Sequence, residues 1–126
     1  MHQPIEIKLQ QKSRKLVITF NTGETFELPC EYLRVYSQSA EVTGHGPGQE
    51  VLQVGKQNVN IDAITPVGNY AVKLHFDDGH DTGIYSWETL YDLGKNYDSY
   101  WQAYLQKMLA AGHKHPDMET HVSDLL

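Results

Sequence analysis

Three stretches carry side chains whose types and spacing could do chemistry. The first is His75-Phe76-Asp77-Asp78-Gly79-His80-Asp81, where imidazole nitrogens and carboxylates stand close together as candidate metal donors. His75-Phe76-Asp77 spells the H-x-D half of a facial triad, but it runs into a tight turn. A chain of 126 residues is also too short for the double-sheet barrel that holds such a triad. The second is Gly44-His45-Gly46-Pro47-Gly48-Gln49, a glycine-rich stretch that presents one imidazole. It lacks the Lys-Ser/Thr of a phosphate loop, and no strand directly precedes it. The third is Cys30, after Pro29. A reactive thiol needs a partner that lowers its pKa, and none is evident, so Cys30 reads as a quiet, half-buried residue. There is no G-x-S-x-G, no H-E-x-x-H and no C-x-x-C. The spacing assembles no active site, and the chain reads as non-enzymatic.

The elements that would position these groups follow from periodicity. Leu16, Ile18 and Phe20 alternate inward, Asn21-Thr22-Gly23 turns, and Phe26 and Leu28 resume the alternation, which is a β-hairpin signal. Pro29 then opens a short helical piece over 30–36. The same grammar recurs 56 to 57 positions later. Val72, Leu74 and Phe76 alternate, Asp77-Asp78-Gly79 turns, Thr82-Gly83 adds a bulge-like residue, and Ile84-Tyr85 returns. Ser86 caps a helix carrying Trp87, Leu90, Tyr91 and Leu93, closed by Gly94. Further strands are expected at Ile5–Leu9 and Asn58–Ile64, with Pro66-Val67-Gly68-Asn69 as a link. Trp101, Tyr104, Leu105, Met108 and Leu109 form one helical stripe that ends at Gly112. The expected fold is α+β: a small, mostly antiparallel β-sheet domain of two hairpin-then-helix units and a C-terminal helix. It spans residues 1–112. Residues 113–126 are polar, lack a period and carry His113, His115 and His121; they are expected to be a disordered, solvated tail.

Composition narrows the function. Ten Lys and Arg against 16 Asp and Glu give a net charge of −6, without the basic stripe that nucleic acids or anionic membranes require. One cysteine excludes an intramolecular disulfide and a multi-cysteine zinc site. No apolar run is long enough to span a bilayer, and the N-terminus does not begin a signal peptide. A cytoplasmic protein is expected.

The stretches Leu28-Pro29-x-Glu31-Tyr32-Leu33-Arg34-Val35, Ser39-Ala40-Glu41-Val42-x-Gly44-His45-Gly46-Pro47-Gly48, Val67-Gly68-Asn69-Tyr70-Ala71 and Phe76-x-Asp78-Gly79-His80-x-x-Gly83-Ile84-Tyr85-Ser86-Trp87 resemble the DUF971 family. That family is similar to the N-terminal domain of γ-butyrobetaine hydroxylase. The resemblance covers about residues 5 to 112. It implies a small β-rich domain that, in the hydroxylases, precedes an Fe(II)/2-oxoglutarate dioxygenase domain, takes part in dimer contacts and holds a structural zinc through three cysteines and a histidine. In other proteins a similar domain follows an iron–sulfur carrier. The zinc cysteines would fall on Ser37, Ser39 and Val42, and the histidine on His80, so the structural zinc site is not retained. The expected function is a protein-binding module linked to iron or iron–sulfur metabolism, with a weakly bound metal ion at His80 and His45. Its partner-binding loop would comprise Gly44, His45, Gly46, Pro47, Gly48 and Gln49. The expected partner is an iron–sulfur carrier, a dioxygenase or a second copy of the chain. The alternative is a metal-dependent oxidoreductase component related to 2-oxoglutarate dioxygenases.

Overall fold

The structure is a computed structural model that describes residues 1–44, 46 and 48–118. It divides into two compact units, Met1–Lys95 and Asn96–Leu126. The first unit holds two three-stranded antiparallel sheets. Strands β1 (Pro4–Gln10), β2 (Lys15–Phe20) and β3 (Thr25–Pro29) form one sheet in that order. Strands β4 (Ile61–Val67), β5 (Ala71–Phe76) and β6 (Ile84–Ser86) form the other. Each sheet is followed by a helix: α1 (Cys30–Val35) after β3, and α3 (Trp87–Lys95) after β6. The single helical turn α2 (Ala40–Thr43) lies between them. The α+β architecture expected from the sequence is the one observed.

The alternation in β2 places Leu16, Ile18 and Phe20 in the core, and that in β5 does the same for Val72, Leu74 and Phe76. Burying side chains of this size contributes roughly 1.5–3 kcal/mol each. Within the first unit, the two sheet-then-helix repeats share backbone geometry as well as pattern. Gly23 N–H donates to Phe20 O (2.9 Å) and Phe20 N–H to Glu24 O (2.9 Å). At the second turn Gly79 N–H donates to Phe76 O (3.2 Å) and Phe76 N–H to His80 O (3.0 Å). Gly23 and Gly79 both have positive φ, +91° and +88°, which a side chain would oppose. Both helices also start alike: Cys30 N–H donates to Arg14 O, and Trp87 N–H to Tyr70 O. The repeat is longer than the hairpin-then-helix pattern suggests, because an additional strand, β1 or β4, opens each repeat.

Three details depart from the sequence reading. The strand expected at 58–64 begins at Ile61 and continues through Pro66 to Val67. Proline is tolerated there because β4 is an edge strand, whose outer N–H positions need no partner. Gly94 does not close α3; it lies within the helix, where the Phe26 ring occupies the place a Cβ would take. The connection over 77–83 is not a simple bulge. Gly83 approaches Ser37 so closely that a Cβ would stand 2.5 Å from its Oγ.

In the second unit, α4 (Tyr97–Ala110) buries Trp101, Tyr104, Leu105 and Met108. Leu109, eight residues after Trp101, lies about 80° round the helix from it and is exposed. Gly112 (φ +85°) ends the helix, with His113 N–H bonded to Met108 O at 2.9 Å. Residues 113–118, expected within a disordered tail, fold back instead. The Trp101 indole N–H donates to Asp117 Oδ2 (2.7 Å), and the buried His115 ring stands edge-on to Trp101. The rest of the expected tail, 119–126, lies outside the described residues. Among the described residues no helix is long and apolar enough to cross a membrane.

Candidate functional site

Chain topology brings two distant stretches together: residues 34–42, from α1 into α2, and residues 78–83, between β5 and β6. Ser37 and His80 are both buried, 1% and 4% exposed. Ser37 Oγ lies 2.9 Å from His80 Nε2, and His80 Nδ1 lies 3.0 Å from Glu41 Oε2. Thr82 Oγ1 donates to Glu41 Oε1 (3.0 Å) and contacts Ser39 Oγ (2.7 Å). Ser39 N–H donates to Ser37 Oγ at 3.2 Å.

One assignment of protons satisfies all of these bonds with a neutral imidazole. Ser39 O–H donates to Thr82, Thr82 O–H to Glu41, His80 Nδ1–H to the other Glu41 oxygen, Ser37 O–H to His80 Nε2, and Ser39 N–H to Ser37. The chain of bonds closes on itself at Ser39. Bonds from the Thr82 hydroxyl and then from His80 hold the Glu41 carboxyl below its usual range. Ser39 also caps α2, its Oγ accepting from Glu41 N–H at 3.2 Å. The ring therefore fixes α2 to the β5–β6 connection.

A second cluster abuts the first. Asp78 Oδ2 accepts from Lys56 Nζ (2.7 Å) and Arg34 Nε (2.9 Å), and Oδ1 accepts from the His80 backbone N–H (3.2 Å). Burial pushes the Asp78 carboxyl up, but these donors outweigh it and hold the group at about 2. Arg34 is 7% exposed, and its Nη1 is buried without an acceptor among the described residues.

Serine, histidine and glutamate in hydrogen-bonded sequence are the parts of a nucleophile, a base and a group that orients the base. Access decides against that chemistry. Ser37 Oγ is enclosed, with Gly83 pressed against it, and it already bonds His80 and Ser39. A carbonyl carbon could not approach within bonding distance. The ring is a structural device.

The zinc that the family resemblance implies does not fit here either. Two of the positions it assigns to thiolates are hydroxyls, Ser37 and Ser39, and the third is the apolar Val42. Neutral hydroxyls bind zinc weakly, and both nitrogens of His80 are already engaged. Among the described residues no three His, Cys, Asp or Glu side chains gather as a metal cage.

The other residues singled out by sequence lie apart. His75 faces away, its Nε2 2.8 Å from Thr65 Oγ1, while Asp77 accepts from Asn60 N–H, so the H-x-D pair shares no site. Cys30 is fully buried, and its thiol is pushed up to about 11, chiefly by that burial. Of the glycine loop, His45 and Pro47 lie outside the described residues, and with them the proposed pairing of His45 and His80. Gly44 (φ +75°) packs so tightly on the Gln49 carbonyl that no side chain could replace its hydrogen. Gly44 N–H bonds Ala40 O, and Val51 N–H bonds Val42 O, so both ends of the loop rest on α2. Sequence reasoning missed Glu41 and Thr82. The only local signal was Ser39 as a helix cap, and nothing linear ties it to residues more than 40 positions away.

The family model described as γ-butyrobetaine hydroxylase-like, N-terminal, matches residues 7–91. The chain belongs to this family. Among solved structures, the γ-butyrobetaine hydroxylase-like N-terminal domain described here is similar to two proteins known from NMR solution structures. One is 56% identical, with 91% of this chain and 86% of that chain covered. The other is 44% identical, with 90% of each covered, and both have a TM-score of 0.78. It is also similar to a DUF971 protein of unknown function from Acidithiobacillus ferrooxidans, seen in a crystal structure. That protein is 39% identical with a TM-score of 0.61, and 73% of this chain and 92% of that one are covered. No curated protein shows significant similarity.

Proposed function

We propose that this domain is a non-enzymatic protein-binding module whose contact surface includes the Gly44–Gln49 loop. The observation that carries this reading is the closed hydrogen-bond ring. Ser37 and His80, the groups that could do chemistry, are buried and already hydrogen-bonded, and with the more exposed Ser39, Glu41 and Thr82 they hold α2, on which the loop is mounted. Loops on a rigid scaffold are where binding groups concentrate, and fixing the base of a glycine-rich loop lowers the ordering entropy that binding would otherwise cost. The partner class we propose is an iron–sulfur carrier or a dioxygenase, met in the cytoplasm. The family name supports this, since it places the domain beside a hydroxylase.

The test compares co-purification of such a partner by the wild type and by a folded His45→Ala/Gln49→Ala variant. The variant should lose the partner, and equal recovery by both would remove the loop from the surface. Substrate-dependent consumption of 2-oxoglutarate by the isolated chain would overturn the non-enzymatic reading.

A further inference from the structure

Strand β1 is an edge of its sheet. It pairs with β2, and no strand lies along its other side among the described residues. Ile7 and Leu9 sit opposite Ile18 and Leu16, on the face that looks into the core, yet they are only half-buried because the sheet stops beside them. Ile5 bulges out of register and is 69% exposed. Glu6 and Lys8 project from the opposite face, exposed, 3.6 Å apart in the same strand.

Edge strands are usually guarded by charges, proline and bulges. Pro4 and the Ile5 bulge fit that description, but the charges do not. A guard of one sign would repel a copy of itself, whereas one acid and one base placed symmetrically about Ile7 attract a copy. Ile5-Glu6-Ile7-Lys8-Leu9 reads apolar, acid, apolar, base, apolar. In an antiparallel pairing about a two-fold axis at Ile7, Ile7 meets Ile7 of the second copy, Ile5 meets Leu9, and Glu6 meets Lys8 on each side. Centring on Glu6 or Lys8 would oppose like charges. A shift by one residue would set core-facing side chains against outward ones. Of the registers centred on Glu6, Ile7 or Lys8, the one at Ile7 alone matches both faces, and it places the most strand residues opposite one another.

We propose that a second copy of this chain docks on the β1 edge in this register, joining the two sheets into a six-stranded sheet. This surface is distinct from the glycine loop, so the proposal stands or falls independently of the partner-binding reading.

The test is light scattering and sedimentation of the full chain over a concentration series up to about 1 mM, the weak end of specific association. The wild type should dimerise. Lys8→Glu and, separately, Glu6→Lys oppose like charges twice and should weaken the dimer about tenfold or more. The exchange Glu6→Lys/Lys8→Glu should restore it. Circular dichroism checks folding, and either single variant serves if the other fails to fold. A wild type that stays monomeric throughout would overturn the proposal. So would a dimer indifferent to the single reversals, or one not restored by the exchange.

Discussion

Gly83 lies against Ser37 so closely that a methyl group on its Cα would stand 2.5 Å from Ser37 Oγ. The hydroxyl cannot retreat without releasing His80 Nε2. Gly83→Ala should therefore break the ring at its most buried bond and cost about 1–3 kcal/mol, as overpacking of a closed site does. Urea denaturation measures it. Ser37→Ala in the same background should recover part of the loss, because it removes the clashing atom; an additive double variant would show that Gly83 acts elsewhere.

Asp78 sets a pH limit. Its carboxyl is held at about 2 in the folded chain against an ordinary 3.8, so the ionised form is favoured by folding. The stability it contributes is fully present above about pH 4 and is lost as the pH falls towards 2. A shift of that size corresponds to about 2 kcal/mol. Between pH 5 and pH 2 the wild type should lose about that much more stability than Asp78→Asn, whose side chain does not titrate. Parallel acid profiles would remove Asp78 as the cause.

Cys30 should be silent. Burial withholds both the reagent and the thiolate, with the thiol raised to about 11. Alkylation at pH 8 should proceed no faster than the fold opens and should become rapid in denaturant. Immediate stoichiometric labelling of the native chain would contradict the buried placement.

Strand alternation and glycine turns were legible in the sequence because they depend on neighbours: Leu16, Ile18 and Phe20 declare their face without reference to the rest of the chain. The duplication was legible for the same reason, since Gly23 and Gly79 each answer a local demand for positive φ. The site was legible only in part. Family resemblance pointed to Ser37, Ser39, Val42 and His80 together, but it could not reveal that Glu41 and Thr82 would close a ring through them. Those bonds join positions 39 to 43 residues apart, and neither side chain carries any local mark of its partner. Pro66 misled for a related reason: its tolerance depends on β4 being an edge, which is a property of the sheet.

The fold-back at the C-terminal end makes a prediction for Trp101. Its indole N–H bonds Asp117, and His115 stands over its edge. In a Trp87→Phe background, deleting residues 113–126 should shift Trp101 fluorescence to the red. It should also lower stability by about 1–2 kcal/mol, the net contribution of the hydrogen bond between the indole and the charged Asp117 carboxylate. An unchanged spectrum would mean that the segment does not cover the indole.

The zinc reading can be tested by gain rather than loss. Ser37 already stands 2.9 Å from His80 Nε2, and Ser39 lies on the same ring, while the buried Val42 follows on α2. Replacing Ser37, Ser39 and Val42 together by cysteine would supply three thiolates beside one imidazole, a donor set that zinc binds tightly in tetrahedral sites. The triple variant should retain about one zinc per chain after dialysis against a mild chelator. The wild type, whose hydroxyls and valine are poor ligands, should retain none. Adding His80→Ala to the triple variant should lower its zinc affinity by removing the fourth ligand. Elemental analysis reads all three proteins. Stoichiometric zinc in the wild type would show that oxygen donors suffice and that the ring opens to admit the ion. Failure of the triple variant to bind would show that the three positions do not converge on His80 as the family resemblance requires.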